Sequence, residues 1–132
     1  DDLNLAGSVC LKHSTPQIAK EYQNASIVAL SSRYEGLPMI LLEAQTFGLP
    51  IVSFKCKCGP KDVITDGVDG YLVEEGDIEG MADRIITLIK DVEMRKAMGR
   101  AARESSERYS EEMIMRQWVD LFKELCEGQK GQ

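Results

Sequence analysis

The chain has 132 residues, of which 43% are hydrophobic and 29% are charged, a composition typical of one soluble domain with a single core. Its formal net charge of -6 argues against a protein that mainly grips the backbone of nucleic acid. No apolar stretch reaches the roughly eighteen residues that span a bilayer, and the N-terminus DDLNLAGSV lacks a basic region. The sequence therefore predicts neither a membrane helix nor a signal peptide, and we expect a cytoplasmic protein without a nucleic-acid partner.

The cysteines show no Cys-x-x-Cys spacing. They are Cys10, Cys56, Cys58 and Cys126. The segment Cys-Lys-Cys at residues 56–58 is too tight for a zinc ribbon, and the single histidine, His13, lies far from it in sequence. We therefore expect reduced thiols, no metal and no redox site.

The first part of the chain alternates short apolar runs with helical segments. Residues 3–6 are one such run. Thr15 and Pro16 are a capping residue and a proline suited to a first turn, so they predict a short helix through about Gln23. The segment SIVALSS, residues 26–32, is continuously apolar and predicts a parallel strand covered on both faces.

The alternation continues through the middle of the chain. Pro38 begins a second helix and Gly48 ends it. The segment PIVSF, residues 50–54, then predicts a buried strand, residues 60–64 a short helix, and GYLVE, residues 70–74, a further strand.

The last part of the chain is helical. Asp77 can cap a helix with apolar residues at helical spacing, and Met94 and Met98 belong to a second helix. Ser110 opens a third helix, which carries Trp118 on its apolar side. We expect Trp118 and the helically spaced methionines to pack in the core.

Strands separated by helices predict right-handed crossovers and a Rossmann-like α/β fold, with a parallel sheet and helices on both faces. Ligands of such sheets bind in the loops beyond the carboxyl ends of the strands. The loop at residues 31–38 lies at such an end and leads into a helix. It is therefore the first place to look for a binding site.

Two glutamates mark this loop and the helix that follows it. Glu35 precedes the helix, whose free N–H groups and positive dipole end favour an anion, and Gly36 allows close approach to the backbone. Glu43 lies among apolar residues inside the helix, where a carboxylate needs partners. Two neighbouring hydroxyls, as in a ribose, would supply them. Solvation or a lysine partner is the simpler alternative, and periodicity does not decide between the two.

The segment SSRYEGLPMILLEAQTFGLPIV resembles the signature of the family 4 glycosyltransferases of the GT-B fold, in which seven residues separate two glutamates. The downstream segments GPKDVITDGVDGYLVEEGD and MADRIITLIKDVEMRKAMGRAARESSERYS resemble the same family, so the likeness extends over about residues 3–125. It implies a retaining transfer from a nucleotide-sugar donor, a UDP- or GDP-sugar, without metal or cofactor.

The resemblance also implies roles for individual residues. Glu35 would contact hydroxyls of the donor sugar near the reacting face and would be the catalytic residue. Backbone groups of Gly36 and Leu37 would contact the sugar or its diphosphate, and Glu43 would hold the ribose hydroxyls. Gly59 would bring backbone close to the sugar, with a plain turn glycine as an equal alternative. Pro38 stands where the family often has glycine, which removes one backbone donor.

The family has two strand-helix units before residue 3 and a separate acceptor domain. The resemblance therefore implies that residues 1–127 are a partial C-terminal donor-binding domain of a GT-B enzyme, inactive alone, and that residues 128–132 are a polar tail. The strand at residues 3–6 would lack its usual neighbours. We therefore expect either that this strand pairs differently or that another chain covers the exposed strand edges through self-association. The acceptor, a polysaccharide, lipopolysaccharide or lipid-linked glycan, would bind through the missing domain, near a membrane in the full-length protein.

Two other functions remain open. A dehydrogenase is disfavoured because no Gly-x-Gly-x-x-Gly follows any predicted strand. A non-catalytic nucleotide-binding or protein-interaction module is the second alternative, with methionines offering an adaptable surface. Those methionines are Met81, Met94, Met98, Met113 and Met115.

Overall fold

The computed structural model describes residue 5 and residues 7–128. Within them, three parallel strands form one sheet in the order β1-β2-β3. The strands are β1, Val28–Leu30, β2, Ile51–Phe54, and β3, Gly70–Val73. The helices are α1 (Ile18–Asn24), α2 (Met39–Thr46), α3 (Pro60–Val63), α4 (Ile78–Lys90), α5 (Val92–Ser106) and α6 (Glu111–Gly128). A 3-10 turn at Glu107–Tyr109 precedes α6.

The two faces of the sheet follow from the alternation of side chains along β2, the fully buried central strand. Ile51 points to a core made with α1, α2 and α3, and Val52 points to a core made with α4 and α5. The first core contains Tyr22, Leu41, Leu42, Ala44, Leu49, Ile51, Val63 and Ile64. The second contains Val52, Phe54, Val73, Met81, Leu88 and Met98. The predicted α/β fold, with helices on both faces of a parallel sheet, is confirmed.

Most helix ends agree with the predicted capping residues. Helix α1 is an exception, because it begins at Ile18 with Gln17 as its N-cap and not at Thr15 and Pro16. The Asp77 carboxylate accepts a hydrogen bond from Gly80 N at 2.9 Å and caps α4, and Asp91 caps α5 through Met94 N at 2.8 Å. Pro38 is the N-cap of α2 rather than its first helical residue, because its ψ of 91° is extended. Gly48 has a φ of +69° and follows the last turn of α2, as a C-terminal glycine does.

The edge strand β1 is less covered than its apolar sequence predicted. Val28 and Leu30 are half-buried and Ala29 is exposed, because within the described residues β1 pairs only with β2 and forms one edge of the sheet. The prediction that it is covered on both faces is therefore wrong for these residues. The predicted strand at residues 3–6 lies mostly outside the described residues, and its pairing stays a prediction.

The last helix is also less buried than predicted. Trp118 is 50% exposed, Phe122 58% and Leu125 57%, and Trp118 stacks on Phe122 with ring centroids 5.8 Å apart. Met113 and Met115 on the same helix are exposed too. Within the described part of the chain α6 packs mainly against the preceding 3-10 turn, so no core covers its apolar side, and the expectation that Trp118 fills a core is wrong here.

Candidate functional site

The loop before α2 lies at the carboxyl end of β1, where the sequence placed it. Glu35 is half-buried in this loop, Gly36 and Leu37 are exposed, and Pro38 is buried. No side chain caps α2. The first-turn amides and the positive dipole end of α2 are therefore directed toward the loop that carries Glu35.

Gly59 belongs to the next loop along the sheet and packs directly on this one. A β-carbon at Gly59 would lie 2.5 Å from Pro38 Cδ and 2.6 Å from the carbonyl oxygen of Gly36, and its φ of +89° disfavours any other residue. Gly59 N donates a hydrogen bond to the Asp62 carboxylate at 3.2 Å. The fold thus brings Gly59 to the loop of Glu35, Gly36 and Leu37, and the role of these residues as one site stays a prediction.

Glu43 lies four residues into α2, about 6 Å along the helix axis from its first residue. Its side chain is half-buried, and its Oε2 accepts a hydrogen bond from the Tyr22 hydroxyl at 2.9 Å. Tyr22 comes from α1, is only 6% exposed, and stacks on Phe47 with ring centroids 5.3 Å apart. The partner of Glu43 is therefore a buried tyrosine, which the sequence interpretation did not include.

The surroundings of Tyr22 keep its hydroxyl protonated. Burial, followed by the hydrogen bond to Glu43 and the charge of that carboxylate, raises the pKa of Tyr22 to about 12 from its ordinary 10.0. Phenolate formation would bring a second negative charge next to Glu43. At neutral pH Tyr22 is thus a permanent donor to the Glu43 carboxylate.

Glu43 also forms part of the wall of a cleft of about 300 Å³ on the flank of α2. The cleft is lined by Met39, Leu42, Glu43 and Thr46 of α2 and by Ser106, Glu107, Tyr109 and Ser110 of the connection between α5 and α6. The predicted residues therefore form two groups. Glu35, Gly36, Leu37 and Gly59 surround the mouth of α2, and Glu43 faces the cleft beside it.

The α5–α6 connection, which sequence reasoning missed, is held in place by α3. The Tyr109 hydroxyl donates to the Asp62 carbonyl at 2.6 Å, and the Arg108 guanidinium donates to the Val63 carbonyl. Gln45 of α2 donates to that same Val63 carbonyl at 3.1 Å. No pattern in the sequence indicates these contacts, because they join segments that are up to 47 residues apart.

The described residues contain no group of three His, Cys, Asp or Glu side chains that could hold a metal ion. The four thiols are free, and Cys56 is buried, with its Sγ 3.4 Å from the Cys58 carbonyl oxygen. In residues 5 and 7–128, no helix has the length and apolar character needed to cross a membrane.

The family is decided by comparison with known proteins. A model of the family "Glycosyl transferases group 1" matches residues 1–105. The chain belongs to this family of glycosyltransferases. The match includes the loop before α2, all of α2 and Gly59, and it agrees with the family that the motifs around Glu35 and Glu43 resemble.

Curated relatives support the same assignment. The chain is 38% identical over 106 residues to the amylovoran biosynthesis glycosyltransferase AmsD of Erwinia amylovora, covering 80% of the chain and 30% of that protein. It is 37% identical over 123 residues to the poly(ribitol-phosphate) alpha-N-acetylglucosaminyltransferase of Staphylococcus aureus (strain COL), covering 92% of the chain and 25% of that protein. The chain thus spans between a quarter and a third of the length of these relatives.

Solved structures show the same architecture. A crystal structure of a mutant of S. aureus TarM in complex with fondaparinux, alpha-GlcNAc-glycerol and UDP superposes with a TM-score of 0.85 at 38% identity. It covers 92% of this chain, and the chain covers 25% of that protein. The three-stranded sheet and its helices are therefore a part of the GT-B fold.

Proposed function

We propose that this chain binds the donor of a retaining glycosyltransferase and that the donor is a UDP-sugar. One observation carries the proposal: the uncapped start of α2, at the carboxyl end of β1, has Glu35 before it, Gly59 packed beside it and Glu43 one turn inside it. Membership of the glycosyltransferase family supports a sugar donor, and the UDP in the TarM complex supports UDP over GDP as its nucleotide.

The positive end of α2 suits the donor diphosphate. Amides of its first turn lack a side-chain cap, and the exposed Gly36 lets phosphate oxygens approach the backbone. Pro38 provides no N–H, so the contact falls to the amides after it, beginning at Met39. Glu43 would accept hydrogen bonds from the two ribose hydroxyls through the oxygen that Tyr22 leaves open.

Glu35 would act on the sugar. In a front-face transfer the bond between the anomeric carbon and the diphosphate oxygen breaks, and the acceptor oxygen bonds to the same face of that carbon. The acceptor proton passes to the departing phosphate oxygen. Glu35, close to the sugar hydroxyls, would orient the ring and stabilise the positive charge that develops on it. The helix end would stabilise the negative charge of the leaving diphosphate.

The acceptor is proposed to be a growing surface polymer. The names of the two curated relatives describe amylovoran biosynthesis and transfer to poly(ribitol-phosphate). We propose that the complete protein adds a hexose or N-acetylhexosamine to a polysaccharide or lipid-linked glycan, in the cytoplasm next to the membrane. The acceptor would bind through a further domain, and residues 1–127 alone would not complete the reaction.

Calorimetric titration of the complete protein that contains these residues tests the donor. We expect UDP and a UDP-sugar to bind and GDP to bind at least tenfold more weakly, a difference of about 1.4 kcal/mol. A nucleotide at a hundred times its dissociation constant should also stabilise the protein by about 2.7 kcal/mol. Binding of NAD without a response to UDP would support a dehydrogenase, and binding of none of these would support an interaction module. Either result overturns the proposal.

A further inference from the structure

The hydrogen bond between Tyr22 and Glu43 points to a function beyond packing. We propose that Tyr22 is a positioning residue, which holds one carboxylate oxygen of Glu43 so that the other faces the neighbouring hydroxyls of the bound nucleotide. This inference rests on the proposed donor site, and it assigns to α1 a part in that site.

Without a partner, the Glu43 side chain would be free to adopt several conformations. A glutamate side chain has three rotatable bonds, and Glu43 is only half-buried, with the cleft open on one side of it. Its neighbours in sequence, Leu42 and Ala44, are buried and supply no polar contact. Among its described contacts the side-chain partner is the Tyr22 hydroxyl, 2.9 Å from Oε2. That bond leaves Oε1 to accept from a ligand.

Tyr22 itself is held rigidly. The ring is 6% exposed and belongs to the first core, and it stacks on Phe47 at an interplanar angle of 28°. Phe47 directly follows α2, the helix that carries Glu43. Tyr22 is therefore locked against the same helix whose carboxylate it orients, which is the arrangement that preorganises a binding group.

The Tyr22 hydroxyl is also a constant hydrogen-bond donor. A phenol keeps its proton across the physiological range even at its ordinary pKa of 10.0, and the surroundings of Tyr22 raise that pKa further, to about 12. A carboxylate held by a permanent donor needs no reordering when a ligand arrives. The ordering of one flexible side chain corresponds to about a twofold to tenfold change in affinity.

The test compares Tyr22→Phe with the wild type in the complete protein that contains these residues. Dissociation constants are measured by calorimetry for UDP and for 2′,3′-dideoxyuridine 5′-diphosphate, which lacks both ribose hydroxyls. We expect Tyr22→Phe to weaken UDP binding by about twofold to tenfold and to leave the dideoxy analogue unchanged. In a Glu43→Gln background the same substitution should have a clearly smaller effect, since the two residues act through one contact.

Tyr71→Phe is the matched control. It also removes a tyrosine hydroxyl, one that lies 3.5 Å from Met94 Sδ on the opposite face of the sheet, so UDP affinity should stay unchanged. If the wild type binds UDP and Tyr22→Phe binds it equally well, the positioning role is wrong and the donor site stands. An equal loss for both nucleotides would show a structural effect only and would also overturn the inference. If the wild type itself binds no UDP, the proposed function and this inference fall together.

A second measurement serves if Tyr22→Phe does not fold. The chain has four tyrosines, so NMR of protein labelled with ¹³C at the tyrosine ζ carbon, which gives each ring its own signal, follows the phenol of Tyr22 in the wild type and in Glu43→Gln. Burial is the largest cause of the raised pKa and remains in Glu43→Gln, so the pKa of Tyr22 should fall only part of the way from about 12 toward its ordinary 10.0. A partial fall supports the contact on which the inference depends, and an unchanged pKa overturns it.

Discussion

The backbone of Gly99 in α5 lies against the carbonyl oxygen of Gly48, the residue that ends α2. A β-carbon on Gly99 would overlap that oxygen, at a distance that non-bonded β-carbons essentially never show in proteins. A β-carbon on Gly48 would lie 3.4 Å from the Gly99 carbonyl oxygen. Gly99 is buried in the middle of a helix. Helix α5 therefore packs backbone to backbone on the helix that carries Glu43.

Gly99→Ala is expected to destabilise the protein. In an exposed helix interior this change stabilises by up to about 1 kcal/mol. Here the added methyl group must push α5 away from Gly48, and overpacking of this kind costs about 1 to 3 kcal/mol. Urea unfolding followed by circular dichroism measures the change. An increased midpoint would show that α5 does not rest on Gly48.

Gly59→Ala should lower the free energy of unfolding by more than the strain of a positive φ alone would. The new methyl group would overlap Pro38 and the Gly36 carbonyl, so we expect a loss of about 3 kcal/mol, from backbone strain and displaced neighbours together. Gly67→Ala is the matched control, since its φ is +76° but no atom lies within 4 Å of the added carbon. It should cost about 1 kcal/mol. Equal losses in urea unfolding would contradict the contact between the two loops.

The two glutamates should separate binding from transfer. Glu43→Gln removes a charge-assisted acceptor from the ribose and should raise the dissociation constant of UDP by about tenfold or more. Glu35→Gln should leave UDP affinity nearly unchanged and lower the rate of sugar transfer by about a hundredfold. Calorimetry and the rate of UDP release with acceptor present measure the two effects. If Glu43→Gln binds UDP like the wild type, the ribose assignment is wrong.

Stability should fall at high pH because of Tyr22. Its pKa is about 12 in the folded protein and about 10 in the unfolded chain, so between these values the unfolded chain has lost a proton that the folded protein keeps. The stabilisation of the folded protein by protonated Tyr22 is complete below pH 10, and about 2 to 3 kcal/mol of the free energy of unfolding is lost as the pH rises to 12.

The difference in unfolding free energy between the wild type and Tyr22→Phe isolates this effect. The ion pair with Glu74 also raises the pKa of the Lys55 ammonium, so its contribution to stability is lost in the same pH range. That loss cancels in the difference because both proteins contain the ion pair. Urea unfolding at pH 9, 10, 11 and 12 should show the difference shrinking with pH. A constant difference would mean that Tyr22 titrates normally.

Much of the fold follows from local patterns. The run around Ile51 is apolar except at Ser53, and it became the fully buried central strand. Asp77 and Gly48 mark helix ends by their own hydrogen-bonding and backbone preferences. The patterns misled where burial depends on a distant neighbour. Ala29 and Trp118 lie in apolar segments that no described element covers, so they are exposed.

The candidate site divides in the same way. Glu35, Gly36 and Leu37 could be placed from sequence because a strand, a short loop and a helix follow one another there. The contact of Gly59 with Gly36 joins two different loops, and the tyrosine that holds Glu43 lies 21 residues before it. Helical or strand periodicity indicates which face of an element is apolar, but not which element will pack on it.

The sequence by itself determined the order of strands and helices along the chain, most of their ends and the position of the loop before α2, since these depend on each residue's own backbone and solvent preferences. Only the tertiary structure decided that Tyr22 donates to Glu43, that a β-carbon at Gly59 or Gly99 would overlap its neighbours, and that the α5–α6 connection forms a cleft beside α2. Such contacts form when separate elements close around two cores, and their partners are chosen by the shape of the whole packing.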